Sequence, residues 1–262
     1  MEIIGRISKG SRMDQIYLPK NRNGLAVGSY VFVKPAIEPK PSSNPYLYNL
    51  QYIEPIKLEI VKRVIGIIDN YVENDNIIIT GSFLNRGFNF GDLDVILVTE
   101  NSINERYIED TLHKEIGIKA HLIKINGKAL VMGLESDPLF EMMLSRCISK
   151  KRLIYNIKRK INYKLLDLHL LKSKTLIDSF DLLNGNEKYY LTRNMMAIDL
   201  FIKGKKIDIN IVDKEISKVF NLGKIDDLKN NIINRNDFLT VYISFYNTLF
   251  KIILKGIKDV AK

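Results

Sequence analysis

The chain has 262 residues, 46% of them apolar, and a formal net charge of +10. That length admits one large domain or two to three small ones and that apolar share supplies a sizeable core. No apolar run reaches the roughly 18 consecutive residues of a membrane span, and the first residues carry Arg6 and Lys9 with no long apolar stretch, unlike a secretory signal. A lone cysteine, Cys147, excludes an intrachain disulfide framework and a cysteine-rich zinc site, and fits a reducing, cytoplasmic compartment.

In chain order, residues 1–35 are expected to form a small β segment from "EIIGRIS", "QIYLP" and "SYVFVKP", short apolar or alternating runs bounded by Gly, Pro or Asn. Lys9, Gly10, Ile16, Pro19, Arg22, Leu25, Gly28, Val31 and Val33 fall in a pattern that resembles the AbrB-like swapped hairpin. The spacing between Arg22 and Leu25 is shorter than in that family. The resemblance implies dimerisation and DNA binding; the residues alone are equally consistent with a β-hairpin appendage. Residues 36–55, "AIEPKPSSNPYLYNLQYIEP", read as a linker because proline fixes φ and removes donors. Tyr46, Tyr48 and Tyr52 are expected to anchor it by burying their rings, or else to stack on bases.

Residues 56–156 alternate between helix and strand, which predicts an α+β unit with a mixed sheet. "IKLEIVKRVIGIIDNYV" has apolar residues at helical spacing, "NIIIT" and "DVILV" read as buried strands, and "INERYIEDTLHKEI" as a helix capped near Asn101–Ser102. "IKAHLIKI" reads as a third strand, "PLFEMMLSRCI" as a helix carrying Cys147 in its packing, and "RLIYN" as extended. Residues 157–262 predict a helical bundle with segments at 157–183, 187–203, 212–221, 224–233 and 237–259, the breaks marked by Gly185, Gly204 and Gly223. The charge excess lies here: 1–150 holds 18 basic and 18 acidic residues, whereas 151–262 holds 22 and 12. A basic half suits a polyanionic partner such as nucleic acid or nucleotide phosphates, or else is a solvated lysine-rich surface. The densest cluster is "SKKRLIYNIKRK", 149–160.

The stretch "IIITGSFLNRGFNFGDLDV" concentrates the chemistry. A strand ends in Gly81–Ser82, where glycine permits close backbone approach and, if a helix starts there, free N–H groups face a phosphate. Asp92 and Asp94, at i and i+2, point to one side of a strand and repel each other unless a cation lies between them. Mg²⁺ takes oxygen ligands and shares its shell with substrate phosphates, so a phosphate cradle facing paired carboxylates is a layout for phosphoryl or nucleotidyl transfer. The alternative is a turn-capping Asp pair beside an ordinary βα turn.

An apolar strand, Gly-Ser, nine residues and then Asp-Leu-Asp-Val resembles the signature of the nucleotidyltransferase superfamily, which includes DNA polymerase beta and the minimal nucleotidyltransferases. The resemblance implies that fold for 56–156, transfer of a nucleoside monophosphate from a nucleoside triphosphate to a hydroxyl, Asp92 and Asp94 as ligands of Mg²⁺ or Mn²⁺, Gly81 and Ser82 on the phosphates, and Arg86 beside them. It implies a third acid on "IKAHLIKI", where this chain has His121. That departure leaves His121 as a general base, as a ligand that favours Mn²⁺, or as a structural residue, with Asp137 as a replacement acid. The appended helices imply an acceptor-holding bundle, with Tyr189, Tyr190 and Arg193 as its polar groups and Met195 and Met196 in its core. Two functions stay open: a nucleotidyltransferase, or a catalytically degenerate scaffold that binds nucleotide or nucleic acid.

Overall fold

The computed structural model describes residues 6–11, 15–17, 44–155 and 157–260. In residues 1–42, a unit by itself, strand β1 (Arg6–Ser8) pairs antiparallel with β2 (Gln15–Tyr17), Ile7 opposite Ile16. Pro19, Arg22, Leu25, Gly28, Val31 and Val33, which carry most of the AbrB-like pattern, lie outside the described residues.

The second unit, from residue 43 onward, is α+β. Its mixed sheet has five strands: β3 (Tyr46–Tyr48), β4 (Asn76–Thr80), β5 (Leu93–Val98), β6 (Ala120–Ile125) and β7 (Cys147–Ser149), in the order β3-β7-β4-β5-β6. Of these pairs only β5 and β6 run parallel. Two expectations change. Part of the proline-rich stretch read as a linker is the edge strand β3, because its Tyr46-Leu47-Tyr48 backbone completes the ladder of β7. Cys147 lies on β7 rather than on a helix; it is fully buried, and burial pushes its thiol up to about 12, as fits a packed and unreactive cysteine.

Both faces of the sheet are covered, which explains the unbroken apolar runs of β4 and β5. Helices α1 (Pro55–Tyr71) and α2 (Glu105–Ile116) bury Val61, Val64, Ile68, Ile108 and Leu112 against Ile77, Ile79, Val95 and Leu97. Helices α3 (Gly127–Ser136) and α4 (Pro138–Leu144) bury Leu130 and Leu144 against Ile78, Ile96 and Val98. Local chemistry sets the ends. Pro55 opens α1, where a missing N–H costs nothing. Asn104 caps α2, three residues later than expected, by accepting from the Tyr107 N–H, and Gly117 closes it at φ +76°. Asn126 and Asp137 cap α3 and α4.

The remaining helices form a bundle that shares its core with α4 through Leu139 and Met142. They are α5 (Tyr163–Ser173), α6 (Thr175–Asp178), α7 (Gly185–Ile202), α8 (Ile209–Val219), α9 (Ile225–Lys229) and α10 (Arg235–Val260). The segment expected to be helical from 157 to 183 is divided because Lys174 ends α5 and a short turn over Phe180–Leu182 precedes α7. Gly185 opens α7 rather than marking a break, inside a reciprocal Asn184–Glu187 capping box. Met195 and Met196 are core residues, as expected, and Phe220, Phe238 and Tyr242 stack through the centre. Among the described residues one helix, Arg235–Asp259, is long and apolar enough by length and composition to cross a membrane. The rule of consecutive apolar residues passed over it; its Tyr242, Leu249 and Ile253 are buried in the bundle, while Ile243, Phe250 and Ile252 are exposed.

Candidate functional site at the glycine end of the sheet

Strand register gathers the site. Thr80, the last residue of β4, pairs with Asp94 of β5, and Asp94 pairs with His121 of β6. Alternation along β5 puts Asp94 on the same side as Ile96 and Val98, which is the face covered by α3 and α4, and Asp92 lies just before the strand. Thr80 holds this end of the sheet closed: its hydroxyl donates to the Met143 carbonyl at 2.7 Å and the Arg146 carbonyl at 3.3 Å.

Gly81 is required twice over. Its φ is +82°, and a Cβ there would sit 2.0 Å from Oδ2 of Asp94. The Asp94 carboxylate therefore rests directly on the Gly81 backbone. Beyond Gly81 the chain makes one 3₁₀ turn over Ser82–Leu84, not the helix that a phosphate cradle would use. Ser82 is exposed on it.

Burial raises the pKa of Asp94 above the ordinary carboxylate range; the nearby charge of Asp92 adds to the rise, while the bond to His121 works against both. Nδ1 of His121 lies 3.4 Å from Oδ1 of Asp94, and the imidazole is 59% exposed. Asp137, the alternative third acid, is committed elsewhere. It accepts from the N–H groups of Leu139 and Phe140 at the start of α4, and Nε2 of His169 lies 3.1 Å away.

The loop between Gly81 and Asp92 is held by a lysine that sequence reading passed over. Lys57 of α1 is fully buried. Its Nζ donates to the Asn85 carbonyl at 2.5 Å, lies 3.3 Å from Glu54, and is 5.4–5.5 Å from the ring centroids of Phe83, Phe88 and Phe90. Three rings around one ammonium make a cation–π cage. Glu54 accepts from the Gly87 N–H at 2.7 Å, a bond that, more than any other cause, lowers its pKa. The signal in the sequence was the Phe83, Phe88, Phe90 triplet in an otherwise polar loop.

Arg86 lies over Tyr52, its guanidinium carbon 5.7 Å from the ring centroid. Arg146, just before β7, was also missed. It donates to the Asn85 side-chain carbonyl and faces Tyr189, Asp208 and Asp213 of the bundle, whose charges oppose the downward pull of burial on its pKa. The Tyr189 hydroxyl donates to Asp213 at 2.8 Å, and Arg193 lies over Tyr190 at 4.9 Å. Of the basic cluster at 149–160, Lys150, Arg159 and Lys160 are paired with Asp69, Glu141 and Glu135. Lys151, Arg152 and Lys158 are exposed, with no acidic partner among the described residues.

In comparisons with known proteins the chain matches no family model, no curated protein and no solved structure.

Proposed function

We propose that the chain is a metal-dependent nucleotidyltransferase that moves a nucleoside monophosphate from a nucleoside triphosphate to a hydroxyl acceptor. The observation that carries this reading is the seat of the Asp94 carboxylate on a Gly81 backbone that admits no side chain. It brings a metal-type carboxylate against a glycine turn.

The donor set fits Mg²⁺ or Mn²⁺. Asp92 and Asp94 offer hard oxygens, and Asp94 is half-buried beside a like charge, an arrangement that a cation relieves. Among the described residues no three His, Cys, Asp or Glu side chains gather into a metal-holding group. The two aspartates would therefore hold the ion, with triphosphate oxygens and water filling its shell. Bound there, it would supply charge neutralisation at the reacting phosphate. Ser82, exposed on the turn after Gly81, offers a hydroxyl to a phosphate. The exposed imidazole of His121, beside Asp94, would be the group to take a proton from an acceptor hydroxyl.

A second reading is a scaffold that binds nucleotide without transferring it. The histidine at the third position, where an acid would complete the ligand set, favours it. Transfer from an α-labelled nucleoside triphosphate, screened against RNA, DNA, protein and small-molecule fractions in Mg²⁺ and in Mn²⁺, separates the two. The enzyme reading predicts label transfer that Asp92→Ala and Asp94→Ala abolish. Metal-dependent triphosphate binding by calorimetry without any transfer supports the scaffold, and binding unchanged in both variants removes the site altogether.

A further inference from the structure

The tyrosines of residues 44–52 do not bury their rings as the sequence led us to expect: Tyr46 is 46% and Tyr52 52% exposed, and only Tyr48 is partly covered. Two more exposed rings belong to segments that meet this stretch, Phe88 at 62% and Tyr155 at 38%. Strand register gives this edge its direction. β3 is the edge strand and runs antiparallel to β7, with Tyr46 opposite Ser149 and Tyr48 opposite Cys147. Arg146 and Thr80 mark the glycine end of the sheet, so the chain from Tyr46 through Tyr48 to Tyr52 advances toward the site. The Tyr48 hydroxyl accepts from the Leu153 N–H at 2.7 Å, which brings the chain carrying Arg152 and Tyr155 beside β3. At the near end Asn49 donates to the Ser145 carbonyl, and Tyr52 meets Arg86. Phe88 lies two residues further along the same loop, its ring backed by Lys57.

The edge thus alternates exposed rings with cations that lack acidic partners among the described residues. Ring faces take bases of any sequence, and cations take the phosphates between them. A duplex hides its base faces, whereas a single strand offers both bases to the rings and phosphates to the cations. We propose that the β3 edge, from Tyr155 and Arg152 to Tyr52, Arg86 and Phe88, binds single-stranded nucleic acid and leads it toward Gly81 and Asp94. The surface deepens the nucleotidyltransferase reading by naming the acceptor class, and binding to it needs neither metal nor an intact aspartate pair.

The test is fluorescence anisotropy of the full chain with labelled single-stranded RNA, single-stranded DNA and a matched duplex, in chelator. The expected result is tighter binding of the single strands, a steep loss of affinity with added salt, and about a hundredfold weaker binding in Tyr52→Ala/Phe88→Ala, since each stacked base contributes roughly a factor of ten. Arg86→Ala and Arg152→Ala should each weaken binding and flatten the salt dependence by about one phosphate contact. Lys255→Ala, an exposed cation on α10, should do neither. Asp94→Asn should bind as the natural protein does, so a failure of catalysis leaves this result standing. Equal affinity for the duplex, equal loss in Lys255→Ala, or no loss in Tyr52→Ala/Phe88→Ala with single strands overturns the proposal. RNA and DNA bound alike, or one preferred, are both forms of the expected result.

Discussion

Two aspartates in this protein are each half-buried and each have a histidine beside them, yet their carboxyl groups are driven in opposite directions. Asp137, at the junction of α3 and α4, has its side chain 24% exposed with His169 at 3.1 Å; Asp94, at the glycine end of the sheet, has its own 30% exposed with His121 at 3.4 Å. Burial acts to raise both. At Asp137 the His169 partner and two backbone N–H groups outweigh it, and the pKa falls below the ordinary value. At Asp94 no backbone donor among the described residues offsets burial, Asp92 adds a like charge, and the pKa rises. One carboxylate is satisfied by the fold. The other carries a charge that the fold does not offset, and this is what supports the proposed cation site.

The comparison breaks most sharply at Gly81. Gly81→Ala must place a Cβ where Oδ2 of Asp94 now sits and must hold a side chain at positive φ. Displacing the carboxylate by about an ångström should cost about 100-fold or more in transfer rate. Gly87→Ala is the control: its φ is also positive but a Cβ there meets nothing. It should cost about 1–2 kcal/mol in stability and leave turnover within a few-fold. Equal effects of the two variants on turnover would show that the seat of Asp94 is immaterial.

Lys57→Met keeps the length of the side chain and removes its ammonium. It leaves the Asn85 carbonyl and Glu54 without their partner, at a cost of about 1–3 kcal/mol, and frees the loop between Gly81 and Asp92. Thermal unfolding should show the loss. Steady-state kinetics should show a raised KM for the triphosphate, with partial rescue by Lys57→Arg.

Asp137→Ala should cost about 1–2 kcal/mol for a lost helix cap and leave metal-dependent nucleotide binding unchanged. The folded Asp137 has the lower pKa, so its stabilisation is complete above the unfolded carboxylate value and is lost as pH falls through the folded one. Asp94 has the opposite slope. Its folded pKa is raised, so its charge destabilises the metal-free fold increasingly as pH climbs from the unfolded value through the folded one. Asp94→Asn should therefore raise the metal-free melting temperature at neutral pH, with the gain vanishing at acid pH. Melting curves of both variants between acid and neutral pH check the two signs together.

Much of this was legible in the sequence because it is local. Helical spacing located α1, α7 and α10 to within a few residues, and the unbroken apolar runs located β4 and β5. Asp92, Asp94 and Gly81 stood out because a charge pair inside an apolar strand and a glycine at a strand end each need a reason. The resemblance set His121 at the position of the third acid, and the register pairs it with Asp94. Distant pairing is what stayed hidden. β3 lies in a proline-rich stretch whose strand character comes only from its neighbour β7, more than 90 residues away. Lys57 looked like one more solvated lysine on an amphipathic helix, because its three ring partners come 26 to 33 residues later. Arg146 could not be placed until Cys147 was seen to begin a strand rather than continue a helix.

The central claim is that Asp94 and its surroundings receive a cation while Asp137 does not. The chain has three histidines, so their imidazole resonances form a small set that His→Gln variants can assign. The decisive measurement is the proton NMR spectrum of these imidazoles during titration with Mn²⁺ in the presence of a non-hydrolysable nucleoside triphosphate. Paramagnetic broadening should reach His121 first, at Mn²⁺ levels that leave His169 and His113 sharp, and Asp92→Ala or Asp94→Ala should abolish that selectivity. Broadening that treats all three histidines alike, or that persists at His121 in both variants, would contradict the account.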